Sequence, residues 1–257
     1  MFDIIRSRIR QGYRTMPYPR QEPAMPDRFR GLPRIDASRC QKGCAGCERT
    51  CPVGALSIGE GGPRIDLGRC LFCGECSRSC PNGAIVFTQE YRLAATDRPS
   101  LLFTDEAPKV EALKHEMRRL FKRSLRLRQV SAGGCNACEA DLNVLGTLAY
   151  DMGRFGIQFV ASPRHADGLL VTGPVTKNMR LALEKSYEAV PAPKIVIASG
   201  ACAISGGPYS GHPEASDGVA SLLPVDLYIP GCPPHPMTTL DGLLRLLGRI
   251  GVRRQTP

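Results

Sequence analysis

Two kinds of hydrophobic pattern alternate in the second half of the chain. Short apolar runs rich in Val, Ile and Leu predict strands over residues 125–130, 157–161, 169–172, 194–198 and 226–229. Apolar positions at helical spacing predict helices over residues 136–152, 177–189 and 237–250. Strands that alternate with helices are typical of a mostly parallel sheet with helices on both faces. We therefore predict an α/β domain over residues 125–257.

The pattern before residue 125 is different. Residues 1–33 are rich in proline and arginine, which predicts an extended basic arm that packs along a partner subunit and begins with one short amphipathic turn. A disordered tail is the alternative. Residues 91–124 predict a linker and then a helix whose apolar positions are Val110, Leu113, Met117, Leu120 and Phe121. A separate module occupies residues 34–90.

This module contains an internal repeat of its cysteines. The pairs Cys44/Cys73, Cys47/Cys76 and Cys51/Cys80 are each separated by 29 residues, and the last member of each half is followed by proline. Cys40 and Cys70 are 30 residues apart, so one extra residue follows Cys40. The second half has the spacing C-x₂-C-x₂-C-x₃-C-P, which bacterial ferredoxins use to bind [4Fe–4S] clusters. Zinc is the alternative, although zinc sites use two separated cysteine pairs rather than such triplets.

The four remaining cysteines share one position relative to the predicted sheet. Each follows the carboxyl end of a predicted strand: Cys135, Cys138, Cys202 and Cys232. The carboxyl edge of an open parallel sheet is where such folds bind ligands. Neighbouring glycines let the backbone approach a bulky group. Four independent placements at one edge favour a shared cofactor over scattered structural cysteines.

Charge and targeting signals narrow the class of protein. No secretory signal and no apolar run of membrane-spanning length occurs in the sequence, so we expect a cytoplasmic location in which thiols stay reduced and bind metal. The formal net charge is +10. Three clusters at roughly −2 each would lower it to about +4. A basic surface that faces an acidic partner or lipid head groups is favoured, and we expect no nucleic-acid partner.

These motifs carry two resemblances. Residues 34–90 resemble two-cluster bacterial ferredoxins. Residues 125–250 resemble the small subunit of membrane-bound, energy-converting (group 4) [NiFe] hydrogenases and the related complex I 20-kDa subunit, through Gly-Gly-Cys135-Asn-Ala-Cys138-Glu139, Pro163-Arg164-His165, Gly173-Pro174, Gly200-Ala-Cys202 and Pro230-Gly231-Cys232-Pro233-Pro234-His235-Pro236. They imply an α+β ferredoxin-like module followed by an α/β flavodoxin-like domain.

The resemblances also imply three [4Fe–4S] clusters with crossed ligation in the ferredoxin module. Their ligands would be Cys40, Cys44, Cys47 and Cys80; Cys70, Cys73, Cys76 and Cys51; and, for the proximal cluster, Cys135, Cys138, Cys202 and Cys232. No cysteine is left for a Ni–Fe centre. We therefore expect a non-catalytic electron-transfer subunit that works with a catalytic large subunit, hydrogenase-like or complex I 49-kDa-like, and with membrane-arm subunits at the cytoplasmic face of the inner membrane.

The first cysteine pair distinguishes the two branches. It is C-x-x-C here, as in hydrogenase small subunits, whereas the complex I 20-kDa subunit has adjacent cysteines. The hydrogenase branch, of the formate hydrogenlyase or CO-linked type, is favoured over a complex I-like quinone oxidoreductase or a related complex that makes no hydrogen.

Four further residues are candidates for roles beside the proximal cluster. Glu139 and Asp141 are candidates for a proton-handling carboxylate, although acidic residues in a first helical turn also interact favourably with the helix dipole alone. His235 and Arg164 are candidate hydrogen-bond donors to cluster sulfurs or to a carboxylate, which would raise the cluster potential, with ordinary interface contacts as the alternative.

Overall fold

The computed structural model describes residues 2–12, 14–41, 43–59, 62–103, 108–121 and 123–251. The chain begins with helix α1 (Phe2–Gln11), which is longer than the single turn predicted there. The extra residue after Cys40 falls within positions 41–43, of which Lys42 lies outside the described residues. Linker positions 104–107, Lys122 and positions 252–257 also lie outside them.

The ferredoxin-like module is built from short strands and two small helices. In chain order they are β1 (Pro33–Ile35), α2 (Gly46–Thr50), β2 (Leu56–Gly59), β3 (Gly62–Asp66), α3 (Glu75–Arg78) and β4 (Ile85–Phe87). Strand β1 pairs antiparallel with β4, and β2 pairs antiparallel with β3. Each half of the repeat therefore contributes one strand to each pair, so the two halves interlock.

The repeat is longer than the cysteine spacing indicates. Pro-Arg-Ile-Asp occurs at 33–36 and again at 63–66, immediately before the two cysteine runs. The two aspartates, Asp36 and Asp66, have matching roles because each accepts a hydrogen bond from the backbone N–H two residues later. Sequence reasoning anchored on the cysteines missed this upstream part of the repeat.

The segment after the ferredoxin-like module packs closely on the rest of the chain. Strand β5 (Leu102–Phe103) extends the β2–β3 sheet. Ala95 exchanges backbone hydrogen bonds with Tyr228, so this segment covers an edge of the C-terminal sheet. Helix α4 (His115–Phe121) starts later than the apolar pattern predicts. The reason is that Leu113 donates its N–H to the carbonyl of Leu246 rather than to a preceding helical turn.

The C-terminal sheet has five parallel strands. They are β6 (Leu125–Ser131), β7 (Ile157–Phe159), β8 (Gly168–Thr172), β9 (Ile195–Ser199) and β10 (Leu227–Ile229). The spatial order β7-β6-β8-β9-β10 is the flavodoxin-like order 2-1-3-4-5. The predicted parallel sheet is confirmed. Strands β8 and β9 are buried along their whole length, as expected when both faces are covered.

The remaining helices are α5 (Ala137–Val144), α6 (Lys177–Ala189), α7 (Ala201–Ser205) and α8 (Pro236–Leu246). One hydrophobic cluster joins α6, α7 and the ferredoxin-like module to one face of the sheet, and a second joins α5 and α8 to the other. Helix α5 ends at residue 144, so the predicted extent to 152 is wrong. The Thr147 hydroxyl donates to the Val144 carbonyl at 2.7 Å, and the chain continues through turns.

The arm packs against the chain itself. Tyr18 is buried, and its hydroxyl donates to Asp241 Oδ1 at 2.6 Å. Arg245 Nε donates to the other oxygen of the same buried carboxylate at 2.7 Å. Burial, followed by the charge of Asp241, raises the pKa of Tyr18, which stays protonated as a donor. The prediction that the arm packs along a partner is wrong for this part, because Tyr18 fastens it to α8.

Replacing Tyr18 with phenylalanine removes this hydroxyl and leaves one buried oxygen of Asp241 without its donor. Losing a hydrogen bond to a buried charged group costs roughly 1–3 kcal/mol, so Tyr18→Phe lowers the thermal unfolding midpoint of the anaerobically purified chain. Tyr209→Phe is the matched control, because Tyr209 is 48% exposed. Equal midpoints for the two variants would show that the Tyr18–Asp241 bond does not hold the arm.

Candidate metal centres

Eight cysteines of the ferredoxin-like module surround two separate cavities. Cys40, Cys44, Cys47 and Cys80 line one, and Cys51, Cys70, Cys73 and Cys76 line the other. Each cavity thus takes three thiols from one half of the repeat and one from the other. The thiols lie around a space: among the described residues, no three Cys, His, Asp or Glu side chains lie close enough to hold a single metal ion.

Backbone N–H groups point at several of these sulfurs. Ala55 N donates to Cys51 Sγ at 3.2 Å, and Ala84 N donates to Cys80 Sγ at 3.3 Å, in equivalent positions of the two halves. Phe72 N donates to Cys70 Sγ at 3.3 Å, with Phe72 in the left-handed region at φ 52°. Hydrogen bonds to sulfur stabilise thiolates and are one of the means by which a protein tunes an iron–sulfur cluster.

Burial and mutual repulsion disfavour free thiolates in both cavities. Burial, followed by the neighbouring Cys76, Cys51 and Cys73 thiols, raises the pKa of Cys70 to about 12, even though Phe72 N–H opposes the shift. Burial and the Cys73 thiol raise the pKa of Cys76 to about 11. A group that carries positive iron would compensate this repulsion. The donor set and the cavity shape therefore fit a sulfur-ligated iron cluster.

The last four cysteines meet at the carboxyl edge of the parallel sheet. Burial and then Glu139, Cys202, Cys232 and Cys135 raise the pKa of Cys138 to about 12, and burial and then Cys232 and Cys135 raise that of Cys202 to about 11. These four thiols therefore form a third group. Cys135 and Cys232 are exposed, so this group opens to the surface.

Glycine keeps the third group compact at Gly200. Its φ is +92°, and a Cβ built there would lie 2.7 Å from Cys138 Sγ. Any other residue would have to displace Cys138 Sγ and would be strained at this positive φ.

The second and third thiol groups are neighbours. Partial burial, together with the Cys135 and Cys73 thiols, raises the pKa of Cys232, although Cys73 belongs to the ferredoxin-like module. An open cleft beside Cys232 is lined by Leu71, Phe72, Cys232 and His235 together with Arg28 and Arg30 of the arm. The ferredoxin-like module therefore contacts the sheet at its cysteine-bearing edge.

The two acidic candidates occupy different environments. Glu139 is 7% exposed, and the Thr172 hydroxyl donates to its Oε1 at 2.5 Å. Burial opposes its ionisation, but the neighbouring Ser131 and Thr172 hydroxyls outweigh burial and lower the pKa of Glu139. Asp141 lines the open cleft, and burial raises its pKa. Sequence reasoning found both carboxylates but missed the hydroxyl groups around Glu139, since Ser and Thr at strand ends give no distinctive signal.

His235 and Arg164 lie in different places relative to the third thiol group. His235 is the N-cap of α8: its Nδ1 accepts from Met237 N at 3.1 Å, and its ring packs on Phe29 at 5.1 Å. Only Nε2 is left as a donor. Arg164 lies in a loop that returns to the amino end of β8, where Asp167 N donates to the Arg126 carbonyl. The cysteines lie at the opposite edge, so the prediction that Arg164 donates to the third group is wrong.

Comparison with known proteins agrees with this arrangement. A 4Fe-4S dicluster domain matches residues 39–84, and the family described as NADH ubiquinone oxidoreductase, 20 Kd subunit, matches residues 135–246. With the thiol-lined cavities, the first match defines the chain as an iron–sulfur protein whose ferredoxin-like module precedes a flavodoxin-like domain.

Named relatives come from two kinds of complex. The chain is 41% identical over 152 residues to formate hydrogenlyase subunit 7 of Escherichia coli, covering 59% of each protein. It is 43% identical to the probable membrane-bound hydrogenase subunit mbhJ of Pyrococcus furiosus, covering 47% of this chain and 72% of the relative. It is 45% identical to an NADH-quinone oxidoreductase subunit of Geotalea uraniireducens, covering 48% and 72%. The chain belongs to the NADH ubiquinone oxidoreductase 20-kDa subunit family.

Proposed function

We propose that the chain is an electron-transfer subunit that holds three [4Fe–4S] clusters and exchanges electrons with a catalytic large subunit. The observation that carries this proposal is the grouping of all twelve cysteines into three sets of four, which leaves no thiol over. Iron–sulfur clusters are one-electron carriers, and their potentials depend on burial and on hydrogen bonds to sulfur. The protein residues supply the thiolates, the N–H donors and the shielding from water.

The proposed ligation is crossed in the ferredoxin-like module. Cys80 completes the first site with Cys40, Cys44 and Cys47, whereas Cys51 completes the second with Cys70, Cys73 and Cys76. The lining of the two cavities supports this assignment. The third cluster is assigned to Cys135, Cys138, Cys202 and Cys232.

The order of electron transfer follows from proximity. The Cys73 thiol contributes to the raised pKa of Cys232, which supports direct electron transfer between the second and third clusters. The first cluster would lie farther along the ferredoxin-like module. The exposure of Cys135 and Cys232 supports docking of the large subunit over the third site. Electrons would enter or leave the chain for catalysis at this edge of the sheet.

The proposed partner is the large subunit of a membrane-bound [NiFe] hydrogenase, of the formate hydrogenlyase or CO-linked type. The C-x-x-C spacing of Cys135 and Cys138 and the hydrogenase relatives support this branch. The similarity to the NADH-quinone oxidoreductase relative supports the alternative, a complex I-like oxidoreductase. In the hydrogenase branch catalysis belongs to the partner, because a Ni–Fe centre needs thiolates and the proposed clusters use every thiolate of this chain. Nickel in the purified complex would identify the hydrogenase branch.

Helix α1 supports attachment at a membrane surface, where membrane-arm subunits would be further partners. Phe2, Ile5 and Ile9 lie on one side at helical spacing, and no residue of the helix is buried. Arg6, Arg8 and Arg10 lie on either side of this apolar stripe. Within the residues that the structure describes, no helix combines the length and apolar character needed to cross a bilayer. A basic amphipathic helix of this kind binds in the plane of an anionic lipid surface.

The crossed ligation predicts different effects for two equivalent cysteines. Cys80→Ser perturbs the cluster at Cys40, Cys44 and Cys47 and leaves the second cluster intact. Cys51→Ser, its counterpart in the other half of the repeat, does the reverse. Each signal in the spectra of the reduced proteins is first assigned with variants of the three cysteines that one half of the repeat supplies to a cluster. The spectra of Cys80→Ser and Cys51→Ser then distinguish the two outcomes. If Cys80→Ser altered only the cluster at Cys70, Cys73 and Cys76, the assignment would be wrong.

The proposed electron path predicts a block at its last step in the assembled complex. In Cys232→Ser, an artificial donor still reduces the two clusters of the ferredoxin-like module, but turnover by the large subunit stops because its neighbouring relay is lost. Cys80→Ser in the same complex is the control, because an artificial donor that reduces the second cluster directly bypasses the first. Full turnover in Cys232→Ser would contradict the path.

The membrane assignment of α1 predicts a loss of lipid binding when its apolar stripe is made polar. Removing two isoleucines that would be buried in the lipid costs more than about 1.4 kcal/mol, so Ile5→Ser/Ile9→Ser lowers the partition coefficient at least tenfold in sedimentation with vesicles containing phosphatidylglycerol. The control is Leu102→Ser/Leu181→Ser, because these leucines are 60% and 64% exposed elsewhere. Unchanged vesicle binding by the variant contradicts the assignment. If wild type does not bind vesicles but the variant complex loses its membrane subunits, the apolar stripe binds a protein partner instead.

A further inference from the structure

A row of hydroxyl groups ends three strands beside the third thiol group. Ser131 pairs with Thr172 across β6 and β8, and Val171 pairs with Ala198, so that Thr172 lies next to Ser199 on β9. Neighbouring residues in register on parallel strands point to the same face. Leu127, Leu170 and Ile197 belong to the cluster on the α5 side, so the hydroxyls, which are in phase with them, face α5.

Glu139 on α5 lies against this row. Its Oε1 accepts the Thr172 hydroxyl, and a Cβ built on Gly134 would be 3.6 Å from that oxygen. Cys138 Sγ lies against Gly200, the residue that follows Ser199. The carboxylate is therefore enclosed between the loop that carries Cys135 and the loop that leads to Cys202.

Two atoms at this place have no hydrogen-bond partner. Among the buried side chains that the structure describes, the unpaired polar atoms are Glu139 Oε2, Ser199 Oγ and Thr238 Oγ1. The first two belong to residues that both adjoin Thr172. Buried polar atoms are usually satisfied by protein or by an ordered water, since an unpaired one costs about 1–3 kcal/mol. A single internal water between Glu139 Oε2 and Ser199 Oγ would satisfy both.

The environment also favours a fixed negative charge on Glu139. It lies in the first turn of α5, where the N-terminal end of the helix dipole stabilises an anion. The carboxylate lies beside the third thiol group, because Glu139 directly follows Cys138 on α5 and its Oε1 lies against Gly134, the residue before Cys135. A reduced cluster carries one more negative charge than an oxidised one, so a nearby carboxylate opposes reduction.

We propose that Glu139, positioned by Thr172 and by a water shared with Ser199, keeps the reduction potential of the third cluster low. This inference rests on the proposed function, in which Cys135, Cys138, Cys202 and Cys232 hold that cluster. Glu139 acts on the cluster through the electric field of its carboxylate and makes no bond to iron. The first two clusters lie in the ferredoxin-like module, so this carboxylate has a smaller effect on their reduction potentials.

The test is a redox titration of the full chain, followed by electron paramagnetic resonance at one fixed pH, with the third signal assigned by its loss in Cys232→Ser. Glu139→Gln shifts the midpoint of the third cluster to a more positive potential and shifts the midpoints of the other two less. Glu139→Asp keeps the charge and stays close to wild type. Glu184→Gln is the control, because it removes an equal charge from an exposed ion pair on α6.

Iron analysis separates failure of this inference from failure of the proposed function. If Glu139→Gln keeps its iron and its potential, the inference is overturned while the cluster assignment stands. If wild type lacks the third signal, the proposed function fails. Should Glu139→Gln lose the third cluster, the neutral variant Glu139→Met takes its place. Loss of the cluster in both neutral variants would overturn the inference, because Glu139 would then be needed to hold the cluster.

Discussion

The cost of ionising clustered thiols, set first by burial and then by repulsion between neighbouring thiolates, is the constraint on which the rest of this structure depends. Each cavity of the ferredoxin-like module holds four cysteines, and burial together with the neighbouring sulfurs raises the pKa of Cys70 to about 12 and that of Cys76 to about 11. Such a group is unfavourable as free thiolates and becomes favourable when iron supplies the opposite charge. Metal binding of this kind is coupled to folding, because the unfolded chain has no preformed site.

The architecture brings the thiol groups together by two different means. In the ferredoxin-like module, β1 pairs with β4 and β2 with β3, so each half of the repeat supplies the fourth thiol of the other half's cavity. In the flavodoxin-like domain, the carboxyl ends of separate parallel strands converge on one edge. The arm fastens the two units, since Tyr18 bonds to α8 while Arg30 donates to the Phe72 carbonyl in the ferredoxin-like module.

Local patterns predicted the features that depend on nearby residues. The five strands and helix α6 were found from apolar runs, and the positions of Cys135, Cys138, Cys202 and Cys232 at strand ends followed from them. Features that depend on distant partners were missed or wrong. Nothing local marks Tyr18 as the donor to Asp241, 223 residues away. Arg164 was misplaced because proximity along a motif does not reveal which edge of the sheet a loop reaches, and Ser199 gains its environment only from register with Thr172.

The central claim is that this one chain carries three [4Fe–4S] clusters, and the most direct test is the stoichiometry of the anaerobically purified protein. Iron and acid-labile sulfide are each expected at about 12 per chain, with Mössbauer spectra that contain only cubane-type iron. A value of about eight would leave only the ferredoxin-type pair and contradict the third site. Stoichiometric zinc with little iron would contradict the account as a whole.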